Sequence, residues 1–197
     1  MSAMNEASGS HRIDDVIALF DGLFGAVHRT RLVSGGDEPL YRPAAHGDGH
    51  HQVIFTRDYF ASALHEISHW CIAGERRRQF EDYGYWYCPD GRDGNMQQAF
   101  ENAEVAPQAL ELLFSRACRR RFHVSVDNLG DMAVDRHAFR ARVEARAERY
   151  RREGLPRRGD AFCTALEAFY RDRVSRDAAV AMGHERLARG AAGGCIS

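Results

Sequence analysis

His65, Glu66 and His69 stand in the pentad His65-Glu66-Ile67-Ser68-His69. On an α-helix, positions i and i+4 project from one face, so both imidazoles can reach a single metal ion. The surrounding stretch, DYFASALHEISHWCIAG, is otherwise apolar at Phe60, Leu64, Ile67, Trp70 and Ile72. Two imidazoles in such company are costly unless ligated or hydrogen-bonded, which favours a metal site over a pair of structural histidines. A catalytic ion needs a third protein ligand and at least one open position. Glu101 and Glu104, both in FENAEVAPQAL, are the candidates. They lie three residues apart on adjacent helical turns, so one can ligate while the other orients an imidazole. His46, His50 and His51 fall in a polar loop, His123 in an expected strand and His137 in a remote Arg-rich region, and all are poorer ligands.

Two histidines and a glutamate leave two chemistries open. On zinc, with Glu66 as general base, they make a metallopeptidase. On iron(II) they match the facial triad of non-haem oxygenases. Spacing does not choose between these. A purely structural zinc site is disfavoured, because closed sites usually take four ligands and only three convincing ones are present.

The elements that must position these residues can be read from periodicity. Ile13 to Val27 carries Ile13, Val16, Ile17, Phe20, Leu23, Phe24 and Val27 at helical spacing. Residues 34–51 are rich in Gly, Pro, Asp and His and read as a loop, followed by a β-prone run at Gln52–Phe55. Thr56 is the expected cap of the pentad helix, with Gly74 as its terminator. Tyr83–Tyr87 reads as a strand or ordered loop, Asn95–Arg121 as helical with a break near Ala106 before Pro107, and Phe122–Val126 as a strand. Val134–Arg152 and Asp160–Val174 read as two Arg-rich helices, and the chain from Ala188 as loose. The expected fold class is α+β, a single compact domain of mostly helices around a small sheet. Its expected limits are a flexible terminus at 1–10, the metal-dependent domain at 11–175 and a C-terminal tail at 176–197.

Composition bounds the rest. The chain has 197 residues, 44% hydrophobic and 28% charged, enough apolar material for a core and too much for a disordered chain. No stretch approaches the 18 or so apolar residues of a membrane span, and residues 1–10 lack the basic start and apolar run of a secretion signal, so a cytoplasmic protein is expected. The five cysteines (71, 88, 118, 163 and 195) are scattered and odd in number, which excludes a disulfide framework or a CxxC knuckle; Cys71 and Cys118 read as packing groups. There is no lysine. Residues 1–115 hold 9 Arg against 17 acids, and residues 116–197 hold 18 Arg against 11. The Arg-rich half suits an anionic partner, either nucleic acid or an acidic protein surface. Arg142, Arg146, Arg149 and Arg152 form a helical row suited to such docking, unless they pair with Glu148 and Glu153. Nucleic acid is the weaker reading, since the acidic half surrounds the metal helix and repels phosphate.

DYFASALHEISHWCIAG, GYWYCPDGRDG, FENAEVAPQAL and SVDNL occur in this order, and GGDEPLYRPA precedes them. Together they closely resemble the bacterial elongation factor P hydroxylase family, over roughly Ile13 to Tyr170. The resemblance implies hydroxylation of the β-lysylated lysine of elongation factor P, the last step of that factor's maturation. It also implies a fold similar to a metal-dependent endoribonuclease, and a divalent metal, Fe(II), at His65, His69 and Glu104. Glu66 is then left to hydrogen-bond a metal-bound water or a ligand imidazole, and is named as a catalytic candidate. The electron donor is not readable, since no double-stranded β-helix pattern of 2-oxoglutarate oxygenases is present. A doubly cationic lysyl chain calls for carboxylates and aromatic faces. Tyr85, Asp90 and Arg92, within GYWYCPDGRDG, together with Glu101, are the substrate-binding candidates. The peptidase and a metal-dependent nuclease remain the alternatives.

Overall fold

Helix α1 (Ile13–Phe24) buries Val16, Leu19, Phe20, Leu23 and Phe24, the residues its periodicity marks as one face. In this computed structural model, residues 11–44, 49–81, 94–125 and 135–192 are described. After α1 come strands β1 (Thr30–Gly36), β2 (Leu40–Arg42) and β3 (His51–Thr56), in a sheet of order β1-β3-β2. β1 is parallel and β2 antiparallel to β3. Val53, Ile54 and Phe55 are buried in succession, as befits the central strand. β2 lies wholly, and the end of β1 and the first residue of β3 partly, in the stretch read as loop. Its glycines serve a bulge instead: the β1–β3 register shifts between Ser34 and Gly36, and Gly35 takes φ +105°.

Helix α2 (Phe60–Ile72) carries the pentad. Phe60, Ala63, Leu64, Ile67, Trp70 and Cys71 fill its core face. Thr56 does not cap it. Thr56 ends β3, its N–H donates to the Ser62 hydroxyl at 3.1 Å, and the helix starts after Tyr59. The C-terminal end stops at Ala73, just before Gly74. There, Nη2 of Arg158 donates to the carbonyls of Trp70, Cys71 and Ala73 at 2.9, 3.2 and 2.5 Å, tying the helix to α5.

Helix α3 (Gly94–Ala117) runs unbroken through Pro107, contrary to the expected break. Proline removes one backbone bond. Packing against α2 and against the two later helices at Arg136–Glu153 and Arg157–Tyr170 holds the helix across it, with Ala109, Leu110, Leu113 and Phe114 buried. Residues 121–125 form no strand; Ser125 instead donates its N–H to Gln108 Oε1 at 3.1 Å and accepts from Gln108 Nε2 at 2.7 Å. Helix α4 (Arg136–Glu153) is capped by Asp135 Oδ1, which accepts from the N–H groups of His137 and Ala138 at 3.0 Å each.

Helices α5 (Arg157–Tyr170) and α6 (Arg176–Ala192) close the domain. The expected tail is a helix as far as residue 192, packed on α1 and α5 with Ala179 and Leu187 buried. The chain read as loose from Ala188 continues this helix to residue 192, and earlier in α6 a small residue permits close approach: a Cβ on Gly183 would lie 2.6 Å from Leu23 Cδ2 and 2.9 Å from the Ala161 carbonyl. Cys71 and Cys118 are buried, and burial pushes both thiols up, Cys118 to about 12, so they are packing groups. The fold is α+β, one domain of helices around a small sheet. Among the described residues no helix is long and apolar enough to cross a membrane.

Candidate metal centre

The helical turn of α2 brings His65 Nε2 and His69 Nε2 to 3.0 Å from each other. Helix α3 delivers Glu104 from the opposite side. Its Oε1 lies 3.3 Å from His69 Nε2 and its Oε2 3.5 Å from His65 Nε2. One ligand atom from each of the three residues falls within 4.8 Å of the other two. Donors that share an ion at about 2.0–2.2 Å are held roughly 3 to 3.5 Å apart, so the separations fit a divalent cation. The chemistry fits as well: two nitrogen donors and one carboxylate, with Glu104 only 4% exposed and facing two imidazoles. Of Glu101 and Glu104, it is Glu104 that reaches the histidines.

A second carboxylate joins the cluster that spacing did not single out. Glu111 Oε2 lies 2.9 Å from His65 Nδ1, which leaves Nε2 of the same ring to face Glu104 and His69. Glu104 is itself oriented by Gln108, whose Nε2 donates to Oε2 at 3.3 Å. Glu104, Gln108, Glu111 and Ser115 are all buried polar groups, at spacings of four, three and four. They form a polar stripe on a helix otherwise packed with Ala, Leu and Phe. That stripe was the available signal, since buried polar groups are kept only where they find partners.

The electrostatics are mutual. Burial opposes charge on His65, but the Glu111 hydrogen bond and the charges of Glu111, Glu104 and Glu66 outweigh it, raising the imidazole to about 10. Burial likewise opposes charge on Glu104, yet bonds from His69 and Gln108 and both imidazole charges hold it down near about 2. The ligand set is therefore built to stabilise a positive centre. Glu66 goes the other way: burial raises its pKa, and Glu104 and Glu111 add to the rise against the pull of the histidines.

Glu66 and His69 share a cavity of about 40 Å³ with Tyr41, Trp70, Arg77 and Arg78, room for a few water molecules beside the ligands. Glu101, expected to orient an imidazole or bind substrate, is held by Arg142 of α4 at 3.4 Å, and Arg142 also bonds Asn102. Glu111, not Glu101, is the partner of His65. Tyr85, Asp90 and Arg92 lie outside the described residues. In the Arg row, Arg142 faces Glu101, Arg146 lies 4.3 Å over the Tyr150 ring and Arg149 pairs with Glu153 at 2.7 Å.

Two imidazoles from one helix, a buried carboxylate from the next and an adjoining cavity have the make-up of an enzyme's metal centre on a small α+β domain, with three candidate ligands among the described residues where a closed structural site takes four. The family model described as elongation factor P hydroxylase matches residues 19–179, and the chain belongs to that family. It is 44% identical over 160 residues to the elongation factor P lysine hydroxylase of Haemophilus influenzae, an alignment covering 81% of this chain and 90% of that protein. His65, His69, Glu104 and Glu111 all fall within the matched span.

Proposed function

We propose that this chain hydroxylates the β-lysylated lysine of elongation factor P, with Fe(II) held by His65, His69 and Glu104. Membership of the elongation factor P hydroxylase family, over a span that includes the entire ligand cluster, carries this reading. It favours the hydroxylase over the peptidase that the pentad alone left open. Bound there, Fe(II) supplies the activation of dioxygen that insertion of oxygen into a C–H bond requires.

The protein's own groups do the positioning. Glu111 fixes the His65 ring so that Nε2 faces inward, and Gln108 aims the Glu104 carboxylate. Glu66, partly buried on the wall of the small cavity, can hold a proton beside His69. Trp70, Val53 and Leu40 line the same cavity and limit water there. The GYWYCPDGRDG segment, with Tyr85, Asp90 and Arg92, supplies aromatic faces and charge suited to a long cationic side chain.

The test is mass spectrometry of elongation factor P from cells with and without this protein. The modified lysine should be heavier by one oxygen atom only when the protein is present. Anaerobically purified protein should carry out the same step in vitro after loading with Fe(II). Activity with zinc instead, or peptide cleavage, would return the reading to a metallopeptidase.

A further inference from the structure

A second cavity, of about 320 Å³, opens at the C-terminal end of α2, on the far side of Arg78 from the metal centre. Arg78, Arg157 and Arg158 line it, with His28 from the turn between α1 and β1 and a single acid, the exposed Glu75. Among the described residues, the three guanidiniums bond only backbone carbonyls. Arg78 Nη1 donates to Ala73 at 2.9 Å, Arg157 Nε to Leu187 at 2.8 Å, and Arg158 Nη2 to the three carbonyls at the end of α2. None of them forms an ion pair among the described residues, whereas Arg42, Arg140, Arg142, Arg149, Arg171 and Arg186 all do. Arg158 lies 4.7 Å over the Trp70 ring, and its Nε is buried without a hydrogen-bond partner.

Capping of α2 accounts for part of this. Arg158 and Arg78 satisfy orphan carbonyls that would otherwise present the negative end of the helix to the cavity. Capping does not account for Arg157, which binds a different helix, and it does not call for three positive charges that make no ion pair among the described residues. His28 registers the same field: burial first, then the charges of Arg78 and Arg157, hold its imidazole below the usual range.

We propose that this cavity binds a small phosphate-bearing anion. A planar carboxylate occupies one guanidinium fork, whereas a tetrahedral dianion offers acceptor oxygens to several at once. The volume lies at the lower end of small-ligand pockets, about 300–1,000 Å³, and exceeds what a bare phosphate fills. Arg78 and Ala73 also line the cavity beside Glu66 and His69, so an anion here sits one side chain away from the metal centre.

The experiment titrates the full-length, metal-stripped protein with inorganic phosphate in a chelator-containing chloride buffer of constant ionic strength, by calorimetry and by NMR of the His28 ring. Saturable binding with one site per chain, a Kd below about 1 mM and a raised His28 pKa are expected. Arg157→Gln should weaken binding by about tenfold or more, the loss of one charge-assisted bond. Arg158→Lys, which keeps a charge and a donor for the α2 carbonyls, checks that any loss is not one of folding. His65→Ala should bind phosphate like the parent, which separates this site from the metal centre. A phosphate monoester binding more tightly than phosphate would assign the source to an organic phosphate. No saturable binding, tighter binding of citrate than of phosphate, or an Arg157→Gln variant with unchanged affinity would overturn the proposal.

Discussion

Glu111 Oε2 lies 2.9 Å from Nδ1 of His65, so the first histidine of the pentad is gripped from behind by the helix that also carries Glu104, the proposed third ligand. Helix α3 therefore contributes twice, with Glu104 facing the ion position and Glu111 behind the imidazole. Outer partners of this kind fix tautomer and ring orientation.

Substituting Glu111 should lower metal affinity without abolishing it. Glu111→Ala is expected to weaken divalent-metal binding by about 10- to 100-fold, and Glu111→Gln, which keeps an acceptor, by less. Glu104→Gln should lose far more than either. Titration with a competing chelator gives the ranking, and equal losses at 104 and 111 would contradict the separate roles.

His65→Ala should remove both metal and hydroxylation. Elemental analysis of the variant after loading is the check, because a full complement of metal in that protein would disprove the site.

Stability of the metal-free protein should depend on pH in a predictable direction. The folded-state pKa of His65 is raised from 6.5 to about 10. Its stabilising contribution is thus complete below about 6.5 and is lost as pH climbs through about 10. Glu104 is depressed from 4.5 to about 2, so its contribution holds above about 4.5 and fades as pH falls toward 2. The Tm of the metal-free protein should fall between pH 7 and 10. Metal loading should flatten that slope, because the ion takes the place of the proton. Scanning calorimetry of both forms in matched buffers measures the difference, and identical slopes would refute the coupling.

Helix α6 belongs to the folded unit, and Gly183 reports it. Gly183→Ala places a methyl against Leu23 and the Ala161 carbonyl and should cost about 1–3 kcal/mol. A chain ending at residue 175 should lose cooperative unfolding, since it uncovers the face of α1 that α6 covers. Denaturant titration tests both, and a truncated chain of unchanged stability would restore the reading of a tail.

Arg142 is expected to act within the fold rather than in docking. Its bonds to Glu101 and Asn102 join α3 to α4, so Arg142→Ala should lower Tm while leaving the salt dependence of KM for elongation factor P as it was. Charge reversal at Arg149 and Arg152, exposed on the same helix, tests docking itself. A KM that rises in those variants only at low salt would place the partner on α4.

The pentad was legible because an apolar helix rarely tolerates two imidazoles four residues apart without a metal or a hydrogen-bond partner. Glu104 was not legible from spacing, since Glu101 offered the same chemistry one turn away; only the resemblance ranked them. Glu111 was hidden by Pro107, which suggests a break where α3 is continuous and so divides the stripe from Glu104 to Ser115. β1 was lost in glycines that serve its bulge, β2 in the turn-rich stretch around it, and α6 because its buried apolar side chains, Ala179 and Leu187, are few and separated by small or charged ones. In each case, tertiary packing gave a local signal a meaning that its neighbours in sequence could not supply.

The proposed ligands come from two helices, with 34 residues between His69 and Glu104. On the ribosome the histidine pair emerges first, and for all that time it is only half a chelate. The three-residue cluster forms only when α3 has been synthesised and has docked on α2, so a metal held there would be selected by a folded surface and not by the nascent chain. Metal supply can then act after synthesis, on a finished protein that waits for its ion.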